Sequence, residues 1–173
     1  MEKTLVIYKS NTGFAGKYAK WLSEELNCDL LNYENRNTIN WSDYEAVIYG
    51  GGIYAGSING IDWLKSKLPE LKNKKVVVYA TGAMPADAPE TKEAMEKNFT
   101  EAEAAQVKSF FLHSGLCYEK MAFKHKLMMK MFCKMLKTKN PQTYQILRLS
   151  FDHTSKEALK PLLAYINGNE QRG

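Results

Sequence analysis

No stretch of this chain approaches the roughly 18 uninterrupted apolar residues of a membrane-spanning helix. The first residues run straight into a strand pattern, without the charged, apolar and small-residue zones of a secretory leader, so a cytoplasmic protein is expected. Cysteine is scarce, and Cys28, Cys117 and Cys133 are scattered with no C-x-x-C pair. That spacing excludes a disulfide frame and a zinc site, and suits reduced thiols. Histidine is equally scarce, at His113, His125 and His153, and no cluster of residues has metal-ligand spacing. Internal repeats and low-complexity linkers are absent too, so the 173 residues are expected to form one domain, 1–173.

A spread of basic charge is also lacking. The net charge is +5, yet residues 118–139 hold seven lysines against one acid, Glu119. That segment alone is +6 and the rest of the chain sums to −1. Nucleic-acid binding normally spreads its charge over a face, so no nucleic-acid partner is expected.

What is present is alternation. Thr4–Tyr8, 28–33 (CDLLNY), 46–52 (AVIYGGG), 76–80 (VVVYA) and 107–112 (VKSFFL) read as strands. Helical spacing covers 14–26 and 60–68. Asp87-Ala-Pro-Glu90 has the form of a capping box opening a helix over 88–105. Thr154-Ser-Lys-Glu157 has the same form before a last helix, with Gly168 as its C-cap. Strands alternating with helices predict an α/β fold, a parallel sheet covered on both faces. One irregular block, about 116–152, is too short to bury a core of its own and reads as an insertion.

The loop Ser10-Asn11-Thr12-Gly13-Phe14-Ala15-Gly16 lies between the first strand and the first helix. Backbone N–H groups and the positive helix end there face an anion, and Ser10 and Thr12 add hydroxyls. A Walker A loop is excluded, because Asn11 stands where its first glycine is needed and Tyr18 where its Ser or Thr is needed. The dinucleotide fingerprint is absent as well. A plain strand–helix turn remains the alternative. Two further loops leave the carboxyl ends of strands, where open parallel sheets bind ligands. One is Gly50-Gly-Gly-Ile-Tyr54-Ala-Gly-Ser57 and the other Thr81-Gly-Ala-Met-Pro85. Together the three loops suit a flat ring with a phosphate at its far end. Tyr54 is either the ring's aromatic neighbour or a surface tyrosine.

The motif Y-x-S-N-T-G (Tyr8–Gly13) resembles the phosphate loop of the flavodoxin family. The resemblance implies a three-layer sandwich with a five-stranded parallel sheet of order 2-1-3-4-5, and FMN as cofactor. It implies that Ser10, Asn11, Thr12, Gly13, Phe14 and Ala15 surround the phosphate. Gly52, Ile53, Tyr54, Ala55 and Gly56 would form the first isoalloxazine loop, with Tyr54 stacking. Thr81, Gly82, Ala83 and Met84 would form the second. The chain departs from the family where Phe14-Ala15 replaces x-Thr, so backbone N–H groups must replace one hydroxyl. The second loop also lacks the usual tyrosine and acidic cluster.

Within that family the chain looks more like the menaquinone-dependent protoporphyrinogen IX dehydrogenase branch than like a shuttle flavodoxin. Gly115-Leu-Cys-Tyr118 leads into FKHKLMMKMFCKM (123–135), where that branch also carries a basic helical insertion. The resemblance implies an oxidoreductase with a quinone acceptor. A one-electron carrier serving a redox partner protein is the alternative, and a non-redox phosphate-ligand module a third. Scarcity of acids beside the ring loops favours the first, because fewer carboxylates penalise an anionic reduced ring less. No proton-transfer residue stands out, and flavin chemistry does not require one.

On a helical wheel, Lys120, Lys124, Lys126, Lys130, Lys134 and Lys137 fall within roughly 160° of arc. Met121, Met128, Met131, Phe132, Met135 and Leu136 lie on the other side. A basic amphipathic helix suits peripheral contact at the inner membrane face or an acidic partner. The alternative is an insertion packed on its own domain with its lysines in water. Nothing in the pattern reads on oligomeric state.

Overall fold

The computed structural model describes residues 3–169. Its sheet is built from β1 (Thr4–Lys9), β2 (Asp29–Asn32), β3 (Ala46–Tyr54), β4 (Ser57–Ile58), β5 (Lys75–Gly82) and β6 (Val107–His113). The order is β2-β1-β3-β5-β6, all parallel, with the two-residue β4 folded back antiparallel on β3. Leaving β4 aside, this is the expected 2-1-3-4-5 order.

Strand alternation explains the layers. Leu5, Ile7, Val47, Tyr49, Val76 and Val78 point to one face and pack on Ile61 and Leu64 of α2 (Ile61–Lys67). Val6, Ile48, Val77 and Tyr79 point to the other. There they meet Tyr18 and Leu22 of α1 (Phe14–Leu26) and Leu162 of the last helix. With both faces covered, central strands read as continuous apolar runs, which is why they are legible in the sequence.

Local readings fail where tertiary contacts intervene. The helix expected over 88–105 is two, α3 (Pro89–Lys97) and α4 (Glu101–Gln106). Buried Asn98 causes the break: its amide accepts from the Ile58 N–H at 2.9 Å and donates to the Gly56 carbonyl at 2.9 Å. Asp87 does not cap; Ala88 is the N-cap residue, and the capping box is Thr100 with Glu103. Thr154 does not cap either, because its N–H and hydroxyl both bond Asp152. Ser155 caps the short turn Lys156–Leu159 instead.

The insertion has more order than an irregular block. Strands β7 (Gly115–Leu116) and β8 (Phe151–Asp152) pair antiparallel and clasp α5 (Phe123–Lys139) and α6 (Pro141–Leu147) between them. The final helix, α7 (Lys160–Ile166), follows. Gly168 beyond it has φ +70°, in keeping with its expected capping role. Cys133, Leu136 and Leu147 form a small third core, against Ala83, Met84, Leu116, Met129 and Tyr144.

Candidate functional site

Three parallel strands, β1, β3 and β5, end at one edge of the sheet, and their loops converge there. Ser10, Asn11, Thr12, Phe14 and Ala15 line one end of a cleft. Gly52, Ile53 and Tyr54 line it from β3, and Thr81, Gly82 and Ala83 from β5. No Asp or Glu is among these lining residues.

The phosphate-type end owes its shape to one glycine. Gly13 is the N-cap of α1 with φ +101°, and it donates its N–H to the Ser10 hydroxyl at 3.1 Å. The first turn of α1 has no acidic residue and no capping side chain. The N–H groups of Phe14 and Ala15 thus lack an intrahelical acceptor, and the positive helix end is not neutralised from within. Tyr79, fully buried, donates its hydroxyl to the Ala15 carbonyl at 2.8 Å and ties this turn to the sheet. Tyr18 similarly donates to the His113 carbonyl at 2.6 Å.

Tyr54 bridges the two ends. Its hydroxyl meets the side chains of Thr12 and Asn11, and Asn59 in turn donates to Asn11 at 3.2 Å. Burial pushes the Tyr54 phenol up, against the lowering effect of Thr12 and Asn11. Its ring stacks on His125 of α5, with centroids 5.8 Å apart and planes at 29°. An aromatic stacking site exists at this position, and the insertion reaches it.

Four further expected residues, Gly13, Ala55, Gly56 and Met84, flank those that line the cleft. Gly13 lies on the adjoining cavity shared with Lys17, Lys120 and Asp152 rather than in the cleft lining. Ala55 (φ +47°) and Gly56 (φ +81°) form the β3–β4 turn, so their backbone is committed to the reversal. Met84 turns under the insertion and packs on its small core. Ser114, Gly115, Leu116 and Met121 also line the cleft. The signal for them was available: they follow the carboxyl end of β6, at the same sheet edge as the other loops.

A family model described as a flavodoxin domain matches residues 5–143. The chain belongs to the flavodoxin family. The match spans β1 through β6 and extends into the insertion. No curated protein matches the chain. Among solved structures, a WrbA-like flavodoxin protein from Agrobacterium tumefaciens is similar at 14% identity. It covers 73% of this chain and 89% of that one, with a TM-score of 0.49. The Trp repressor binding protein of Bacillus subtilis aligns at 15% identity over 65% of this chain and 83% of its own, TM-score 0.47. The apo form of an NADH:FMN oxidoreductase, EMOB, aligns at 19% over 65% and 76%, TM-score 0.43.

Family membership implies a flavin cofactor, and the residues present fit one. The αL glycine, the uncapped acid-free helix start and the stacking tyrosine are the donor set that a phosphate and a flat ring require. Around them sit structural histidines. His113 Nε2 lies 3.0 Å from the Ala83 carbonyl, and its ring centroid is 5.1 Å from that of His153. Lys17 pairs with Asp152 at 2.8 Å. Partial burial works to raise the Asp152 carboxyl, but hydrogen bonds from Lys17 and Thr154 prevail and bring it to about 2. That contact therefore persists above the ordinary carboxylate range and is lost as pH falls through about 2. Among the described residues no group of His, Cys, Asp and Glu could hold a metal ion.

Proposed function

We propose that this chain is an FMN-dependent oxidoreductase that takes two electrons from a flat organic substrate of the protoporphyrinogen type and passes them to a quinone. The observation that carries this reading is the cleft lining without a carboxylate. A low-potential carrier surrounds its ring with negative charge to resist an anionic reduced form. A lining without carboxylates imposes less of that penalty and raises the potential. FMN supplies the electron-accepting ring, and this chain's residues bind, orient and shield it.

Anaerobic stepwise reduction of the FMN-loaded protein, followed by visible absorbance, tests the reading. Direct conversion of oxidised to fully reduced flavin is the expected result. A long-wavelength band that rises and falls at mid-titration would instead assign the one-electron carrier role. Failure to retain any flavin would leave a phosphate-ligand module.

The phosphate end carries its own prediction. Lys120 Nζ lies 3.6 Å from where a Cβ on Gly13 would sit, so the insertion places a cation beside the phosphate loop. Lys120→Gln is expected to weaken FMN binding about threefold at low salt, the scale of one ionic contact at an exposed site. Riboflavin, which lacks the phosphate, should bind both proteins equally. Equal losses for the two ligands would remove Lys120 from the phosphate site.

A further inference from the structure

The large apolar side chains of α5 face away from the fold. The helix packs through a narrow seam, in which Cys133 and Leu136 are buried and Met129 is half-buried. Phe123, Leu127, Met131 and Met135, spaced four residues apart, form a ladder on its outer side, and Met128 and Phe132 widen it. Phe123 is 82% exposed and Met131 67%. A helix in a soluble fold ordinarily buries such a stripe and leaves its polar face in water. Contiguous exposed apolar surface of this kind marks an interaction site.

Beside the ladder lies a basic groove between α5 and α6. Lys126, Lys130, Lys134, Lys137 and Arg148 line it. Its acid, Glu119, is occupied by the Ser150 hydroxyl at 2.8 Å. The seventeen residues of α5 contain no acid at all. At 100° per residue the groove lysines fall on the arc next to Phe123 and Leu127, so cations and exposed apolar groups share one side of the helix.

We propose that this side of the insertion is a peripheral docking surface for an anionic phospholipid bilayer. Lipid phosphates occupy the Lys126–Lys137 groove, and the Phe123–Met135 ladder enters the boundary between headgroups and acyl chains. The charge selects this occupant. A second copy of the chain would set one acid-free lysine helix against another, whereas an anionic lipid surface complements both the cations and the apolar ladder. The helix lies on the bilayer rather than across it, since no helix among the described residues is long and apolar enough to span one. The proposal stands on the surface alone and does not depend on the flavin reading. If both hold, docking brings His125 and the Tyr54 loop close to the lipid phase, where an apolar acceptor would be found.

Vesicle co-sedimentation of the full chain tests it, using phosphatidylcholine vesicles with and without one quarter phosphatidylglycerol. Binding to the anionic vesicles should exceed binding to the neutral ones about tenfold or more, and fall with salt. Lys130→Glu with Lys134→Glu should lower it by a similar factor. Leu127→Gln with Met131→Gln, at unchanged charge, should also lower it about fivefold or more. Both pairs are exposed, so circular dichroism should show the fold intact. Absence of binding to anionic vesicles overturns the proposal. So does unchanged binding of the glutamine pair, which would mean charge adsorption without an inserted face. Self-association abolished by the same glutamine pair, without vesicle binding, would assign the face to a second copy.

Discussion

Gly13→Val protein is expected to purify without flavin, with a visible-to-ultraviolet absorbance ratio near zero. Gly13 has φ +101°, where a β-branched residue is strained by its own Cβ. The cost of holding such a conformation is about 1–3 kcal/mol, and the loop can avoid it by changing shape. Any relaxation turns the first N–H groups of α1 away from a common centre and breaks the Gly13–Ser10 hydrogen bond. The expected FMN affinity loss is about 100-fold or more, because several anion contacts fail together. The rest of the fold should persist, since Gly13 lies at the surface end of α1. Stoichiometric flavin in the purified variant would remove this loop from the cofactor site. The Lys120→Gln and riboflavin comparison then separates loss of a charge from loss of loop shape.

Gly50→Val should unfold at a markedly lower denaturant concentration. A Cβ at Gly50 would sit 1.8 Å from Tyr79 Cζ and 2.1 Å from its hydroxyl oxygen. Tyr79 is buried on the central strand pair and cannot swing into water. Overpacking of this kind costs about 1–3 kcal/mol. Displacing the ring also frees the Ala15 carbonyl, adding about 1 kcal/mol or more for a lost buried partner. Urea unfolding followed by far-ultraviolet circular dichroism measures the sum. Tyr79→Phe isolates the second part: it keeps the ring, removes the bond to Ala15, and should cost about 1 kcal/mol. An unchanged midpoint for Gly50→Val would refute the packing account of this β3 glycine. The same bond fastens the phosphate loop to the sheet, so both variants should also hold flavin less tightly than wild type.

These two glycines differ in how far the sequence exposes their purpose. Gly13 sits in a strand–loop–helix pattern whose chemistry is local, and its role can be inferred from neighbours along the chain. Gly50 begins a run of three glycines that closes the expected strand 46–52, and β3 continues through Tyr54 before turning. What makes Gly50 necessary is a tyrosine from β5, 29 positions away, in the register partner across the sheet. The family resemblance implies that Ala55, Gly56 and Met84 belong to the two ring loops. In the fold the first two also form the β3–β4 turn, and the third also packs on the insertion's core, contacts that only the tertiary structure supplies. Ser114 through Leu116 were passed over because nothing in their own residue types announces a ligand.

By itself the sequence determined the layer order, the convergence of three strand-end loops and the site of concentrated positive charge. The layers follow from the two-residue period of a strand and the 3.6-residue period of a helix, the loops from the strand ends of a parallel sheet, and the charge from seven lysines against one acid in residues 118–139. Tertiary structure alone decided where Asn98 breaks a helix, which residues after β6 enter the cleft, and which side of α5 meets water. An amphipathic pattern states that a helix has two faces. The small Cys133–Leu136–Leu147 core decides which face is used inside, and here it leaves the methionine and phenylalanine ladder outside.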